Sequence, residues 1–463
     1  MLHRLVWPAW LGFLLLLLAA FALHPETHAA AGLRLDALFW LLAPFIAFVG
    51  ANVIRFAARY MDGEPRPGRF TLRLVLLLVA SLGLLAADHV AWFGFFWAAT
   101  AFGLAGLIGH YREARAARAA RRVAGIWLGG GTLLLVAGLS WLALAAGTLS
   151  LEGIAARAAP DTVPLGALLL VAGAAVAQCA LLPASRWLLS SMTVPTPVSA
   201  LMHAGIVNAG GILLLRVAAP LAEHPLAMHA VFALGALSAL TGSLIALIQS
   251  DIKRQLAAST VAQMGFMVAQ CGLGLFAAAM AHLMLHGLYK AHLFLSAGSA
   301  VRWQAPARPV RFAPPLWGPA LLSTAAATMA FALISGKRID DAGLVLMIFA
   351  ACAAGRAAWA LGTAPTLDER ARGPAMLLIV IPAGAVYGLL VLAVERALAP
   401  LGLGAFVQPL HPVHAVMVAL FAAFGLWDLS GRMRRSPRLY AWLSAISRPA
   451  GATVAPHRSL HHA

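Results

Sequence analysis

His282, His286 and Lys290 recur at intervals of four in the segment HLMLHGLYKAHLF. At about 100° per residue each step of four drifts by about 40°, so the three share one helix face over about 12 Å. A row of titratable groups along a buried helix face is what a proton relay needs. Histidine titrates near neutrality, and a desolvated lysine can join it. Structural histidines bonded to carbonyls of neighbouring helices account for the pattern equally well. The His-x-x-x-His spacing also suits two zinc ligands, but no Cys or carboxylate lies nearby to complete a site, so no metal is expected in this chain. Lysine itself is a pointed choice: the chain has only three, Lys253, Lys290 and Lys337, against thirty arginines. Arginine cannot release its proton in a protein, and lysine can.

Two further stretches carry polar residues in apolar surroundings. In SSMTVPTPVSALMHAGIVNAGG, Pro195 and Pro197 precede Ser199, His203 and Asn208, and Gly210 and Gly211 follow. Prolines and paired glycines in a spanning segment predict a broken helix, tolerated where it lines a polar cavity or packs on protein. His203 is either a relay group there or a packed core histidine. In LIALIQSDIKRQLAASTVAQMGFM, Asp251 and Lys253 stand between two apolar runs. They read as a charged hairpin that fixes topology, or as a cytoplasmic mouth or interhelical ion pair. The sixteen acidic residues fall almost wholly in loops or at run ends; Asp88, Glu395 and Asp428 come nearest to apolar sequence. A path built on mid-membrane carboxylates is therefore not expected.

The elements that must position these groups are set by composition. Of 463 residues, 62% are hydrophobic and 11% charged, where a soluble domain has about 45–50% and about 25%. That excludes a soluble enzyme, a disordered chain and a receptor with a large extramembrane domain. The fold expected is an all-α polytopic membrane protein in the lipid bilayer, built from spans of about 20 residues. About fourteen apolar runs are long enough, the first at 5–23 and the last at 413–430. Residues 1–430 read as a single transmembrane domain and 431–463 as a basic, poorly ordered cytoplasmic tail. The run at 5–23 is too long for a signal-peptide core and reads as a retained span. His457, His461 and His462 read as a solvated tail rather than a metal site.

The net charge of +17 is a topology signal rather than a nucleic-acid one. With the N-terminus inside, 25 of the 33 Lys and Arg fall in or beside cytoplasmic segments, including the Arg112–Arg122 and Arg302–Arg311 loops and the Arg432–Arg438 tail. Arg34, Arg157, Arg216, Lys337, Arg338 and Arg396 fall outside, and Lys290 and Arg356 within spans. The asymmetry predicts an even span count with both termini cytoplasmic, in the cell inner membrane. Cys179, Cys271 and Cys352, in separate apolar runs, read as small buried hydrophobes.

QSDIKRQLAASTVAQMGFM, HLMLHGLYKAHLFLSAGS and PTPVSALMHAG strongly resemble the antiporter-like, proton-conducting subunits of respiratory complex I and of multi-subunit cation/proton antiporters. LRLDALFWLLAPF and RYMDGEPRPGRF are weaker matches to the N-terminal part of the same superfamily, and the resemblance covers roughly 33–300. It implies two inverted five-helix repeats with broken helices and a central polar axis. It also gives His203, Lys253, His282, His286 and Lys290 a proton-path role, with Asp251 beside them.

The departures from the family pattern carry information. Where the family has Trp-Glu in an early span, this chain has Trp97-Ala98; where it has lysine in a Lys-Ser-Ala-x-x-Pro pattern, this chain has Gln178. Lys337, beside Arg338, Asp340 and Asp341, reads as a loop charge. With HAGIVNAGGILLLR, the chain looks most like the membrane subunit of DAB-type inorganic carbon transporters. That resemblance implies a partner, a large carbonic-anhydrase-like zinc subunit of the DabA type. The ion path, for proton or sodium, would lie in this chain and the zinc in the partner, with no cofactor here. The alternatives are a diverged subunit of a complex I-like or cation/proton antiporter assembly, and a non-conducting membrane anchor for a cytoplasmic enzyme.

Overall fold

The computed structural model describes residues 2–23, 27–300, 312–429 and 436–450. Apart from a short hairpin of β1 (His28–Ala30) antiparallel to β2 (Leu33–Leu35), its regular structure is helical. The first long helices are α1 (Leu2–Leu23), α2 (Ala37–Tyr60), α3 (Pro67–Ala86), α4 (Val90–Ile108) and α5 (Arg115–Ala146). A short α6 (Leu151–Ala156) leads to a central, interrupted region: α7 (Leu165–Gln178), α8 (Arg186–Ser190), α9 (Thr196–Ala204), α10 (Ala209–Arg216) and α11 (Ala218–Ala222). Three long helices follow, α12 (Pro225–Ile248), α13 (Ile252–Gly272) and α14 (Phe276–Ser296). The remainder is α15 (Trp317–Ser335), α16 (Gly343–Gly362), α17 (Glu369–Ala375), α18 (Ile381–Ala397), α19 (Pro412–Leu429) and α20 (Pro437–Ile446).

Each apolar run coincides with helix, but the span count of fourteen does not carry over intact. Among the described residues ten helical stretches are long and apolar enough to cross a membrane. Helices α7 and α19 are shorter, and α13 and α14 are diluted by the polar residues singled out above. The core lies where these central helices meet. Gly235 and Gly242 on α12 and Gly265 and Gly272 on α13 each lie against the partner helix's backbone, where a Cβ would collide. Small residues permit such close approach in place of a hydrophobic drive that lipid does not supply.

Two expectations change. The segment after 431 is not wholly loose: α20 buries Leu443 against Leu189, Ile245, Ala257 and Ala258, because Leu439, Leu443 and Ile446 recur at helical spacing. Residues 430–435 and 451–463, with His457, His461 and His462, lie outside the described residues, as does the 302–311 loop. Cys179 and Cys271 are buried, but Cys352, on α16, is exposed.

Candidate proton path

Lys290 is fully buried. Its Nζ donates to the Leu256 carbonyl and to Ser259 Oγ, both at 2.9 Å and both on α13. The same Leu256 carbonyl accepts from Thr260 Oγ1 at 2.9 Å. With its hydroxyl proton committed there, Thr260 Oγ1 accepts from His203 Nδ1 at 3.0 Å. One tautomer of His203 satisfies this network: Nδ1 carries the proton and Nε2 is a free lone pair. His203 is itself fully buried, and its Nε2 has no partner among the described residues. A buried base with an open nitrogen is thus joined to a buried amine through one hydroxyl and one carbonyl. The three parts come from α9, α13 and α14.

The rest of the α14 row continues from this centre. His286 is buried. His282 and His286 lie parallel, centroids 6.0 Å apart with an interplanar angle of 10°. Nε2 of each has no partner among the described residues. Phe294 stacks on His203 at 4.3 Å, and Phe266 meets His282 edge-on at 5.2 Å. Gly287 makes the approach of α14 to α9 possible, since a Cβ there would lie 2.6 Å from the Ala204 carbonyl.

The interruption lies between the prolines and the paired glycines rather than at them. Pro195 and Pro197 begin α9 rather than break it. The chain departs from helix at Gly205 and passes through a 3₁₀ turn, Ile206–Asn208, before α10. Gly210 and Gly211 sit inside α10 as packing positions: a Cβ would lie 2.7 Å from the Ala175 carbonyl at Gly210 and 2.7 Å from Met267 Cε at Gly211. Side-chain amides serve carbonyls at the break. Asn208 Nδ2 donates to Ala204 O at 2.8 Å, and Gln178 Nε2, from the end of α7, donates to Ile206 O at 3.0 Å. Gln178 stands where the family pattern has lysine, and here it staples the break.

Asp251 and Lys253 are not part of the buried cluster. Asp251 is exposed and caps α13 by accepting from Arg254 N–H at 2.8 Å, the ordinary work of a short carboxylate at a helix start. Lys253 Nζ reaches Val194 O at 3.4 Å, tying the start of α13 to the strand of chain before α9. The structure therefore gathers His203, His282, His286 and Lys290 and leaves Asp251 and Lys253 at one end. Ser259, Thr260, Gln178 and Gly287 escape a reading based on titratable groups. The adjacent Ser-Thr pair in an otherwise apolar stretch was the available signal. Among the described residues no group of three His, Cys, Asp or Glu is arranged to hold a metal ion.

The family described as NADH:quinone oxidoreductase/Mrp antiporter, transmembrane, matches residues 87–336, and the complex I chain 5 N-terminus family matches 24–71. A probable inorganic carbon transporter subunit DabB from Bacillus anthracis is 37% identical over 58% of this chain and 53% of its own length. NADH-quinone oxidoreductase subunit L of Mycobacterium tuberculosis is 35% identical over 58% of this chain and 43% of its own. The solved Mrp complex from Dietzia sp. superposes with a TM-score of 0.60 at 25% identity, over 98% of this chain and 50% of that one. The chain thus spans about half the length of the curated relatives it matches. Every residue of the buried cluster falls within the 87–336 match, and the chain belongs to the NADH:quinone oxidoreductase/Mrp antiporter family of multi-pass membrane subunits.

Proposed function

We propose that this chain is the ion-conducting membrane subunit of an energy-coupled inorganic carbon transporter. The observation that carries the reading is a buried relay made of bases alone, His203 and Lys290 joined through Thr260 and Leu256, in a chain most like the carbon-transporter branch. His203 takes a proton at Nε2, and the Lys290 ammonium releases one and takes one back. Like charges in one low-dielectric site repel, so loading one member favours release from the next. Proton flow, or sodium flow in its place, would drive a large carbonic-anhydrase-like zinc subunit of the DabA type to hydrate carbon dioxide one way. The zinc chemistry belongs to that partner.

A second reading, a diverged subunit of a complex I-like enzyme or cation/proton antiporter, is favoured by the similarity to subunit L. Against it stand Ala98 and Gln178, which occupy the places of the family's glutamate and lysine. Co-expression separates the two. In cells lacking carbonic anhydrase, this chain with its zinc partner is expected to restore growth on air, and this chain alone is expected not to. Robust carbon accumulation by this chain alone would contradict the division of labour. Restored sodium tolerance without carbon uptake would favour the second reading.

Both termini are proposed to be cytoplasmic, from the asymmetry of positive charge. A reporter fused after Ala463 is expected to be active in the cytoplasm; activity confined to the far side would reverse the orientation.

A further inference from the structure

We infer that Leu443 is a positioning residue for Lys290, acting through a single turn of α13. Leu443 is the buried centre of α20, and it shares one buried apolar cluster with Ala257 and Ala258 of α13 and Ile245 of α12. Those two alanines are flanked by Leu256, whose carbonyl accepts from Lys290, and by Ser259, whose hydroxyl does the same. By helix spacing this turn presents Ala257 and Ala258 to the Leu443 cluster and Leu256 O and Ser259 Oγ to the Lys290 ammonium, on opposite faces. The alanines are too small to brace it themselves. Helix α20 is anchored independently of Leu443. Gln249 Nε2 donates to Ser447 Oγ at 3.4 Å, and the Ala450 N–H donates to Ser190 Oγ at 2.9 Å. The second bond reaches the end of α8, which leads into α9 and His203.

Shortening Leu443 leaves a void beside α13, and helices relax only partly into such voids. The turn then moves away from Lys290, and both acceptors recede from Nζ. Losing acceptors disfavours the ammonium relative to the amine. The titratable groups nearest Lys290 are His203 from α9 and His286 from α14 itself, with His282 one turn beyond His286. Helices α2, α10, α13 and α18, which also pack on α14, bring no charge to Lys290: Arg216 of α10 pairs with Asp36 and Lys253 of α13 reaches Val194 O.

The inference rests on the conduction proposed above. The test reconstitutes the complete complex in vesicles and follows gradient-driven proton uptake with a pH-sensitive dye, across neutral and alkaline pH. Wild type, Leu443→Ala, Leu443→Met and Ser259→Ala are compared at equal incorporated protein. Leu443→Ala is expected to lower flux by about fivefold to tenfold, since small misplacements of a reacting group cost this much or more. It is also expected to change the shape of the pH profile in the same sense as Ser259→Ala does, because both loosen the acceptors of Lys290. Leu443→Met, which keeps the volume, is expected to retain flux and profile. Reduced abundance of Leu443→Ala with an unchanged profile means a purely structural role and overturns the inference. So does an unchanged flux at full abundance. If wild type itself carries no gradient-driven flux, the conduction reading fails and this inference with it. If wild type conducts and only the Leu443→Ala profile stays put, the positioning role alone fails.

Discussion

Lys290→Arg and Lys290→Ala are both expected to abolish gradient-coupled activity while the protein still inserts. The relay requires the group at 290 to gain and lose a proton. Arginine keeps the charge but does not deprotonate in a protein, and alanine removes charge and carrier together. Loss of an essential proton-transfer group costs about a hundredfold or more in rate. A purely structural cation predicts otherwise: arginine would keep the bonds to Leu256 O and Ser259 Oγ and rescue, and alanine would not. The site has little spare room, because Lys290 is fully buried and Gly287 brings α14 close to α9 one turn away. Membrane abundance and monodispersity must therefore be measured beside inorganic-carbon-dependent growth. Near-normal growth of Lys290→Arg at wild-type abundance would exclude proton exchange at Lys290.

The same residue marks how far sequence alone reaches. The i, i+4, i+8 spacing of His282, His286 and Lys290 is legible because α14 is regular, and a regular helix turns spacing into a face. What Lys290 bonds to was not legible, because Leu256 and Ser259 lie on another helix and one contributes only a carbonyl. The interruption after α9 falls inside the stretch that the prolines and glycines bracket, but its residues were not legible, for a related reason. Proline announces a helix start as readily as a break, whereas the actual departure at Gly205 depends on Asn208 and Gln178 serving carbonyls that local sequence does not show to be free. Charge pairing is likewise invisible in one dimension. Of the six basic residues that the charge pattern leaves on the opposite face, four pair with carboxylates: Arg34 and Arg216 with Asp36, Lys337 with Glu395, and Arg338 with Asp340. Arg157 instead donates to the carbonyls of Ala146 and Gly147 at the end of α5. Arg356, left inside a span by the count, reaches Asp428 at 3.2 Å.

Asp36→Ala is expected to leave little folded protein in the membrane. Asp36 is 1% exposed and does two things. Its Oδ1 accepts from Phe39 N–H at 3.0 Å and so caps α2, and its carboxylate pairs with the Arg216 guanidinium at the end of α10. Arg216 also donates to the Leu85 carbonyl at 2.7 Å, so one buried cluster joins α2, α3 and α10. Losing the cap costs about 1 kcal/mol. Leaving the guanidinium buried and unpaired costs about 3–5 kcal/mol more, a large share of the stability of an ordinary domain. Asp36→Asn keeps an acceptor for the cap and loses the charge, so it isolates the larger part. Because most of the penalty is the stranded charge rather than the missing contact, Asp36→Asn/Arg216→Met is expected to recover much of it. Thermal unfolding in detergent, with membrane abundance, orders the variants: wild type, then the double variant, then Asp36→Asn, then Asp36→Ala. If Asp36→Asn melts with wild type, the pair contributes no stability, and Arg216 is satisfied by Leu85 and solvent. If the double variant is as poor as Asp36→Ala, the pair is worth more than the cost of burying it. The cluster then fixes α10, and with it the break beside His203, by attraction rather than by avoidance of a stranded charge.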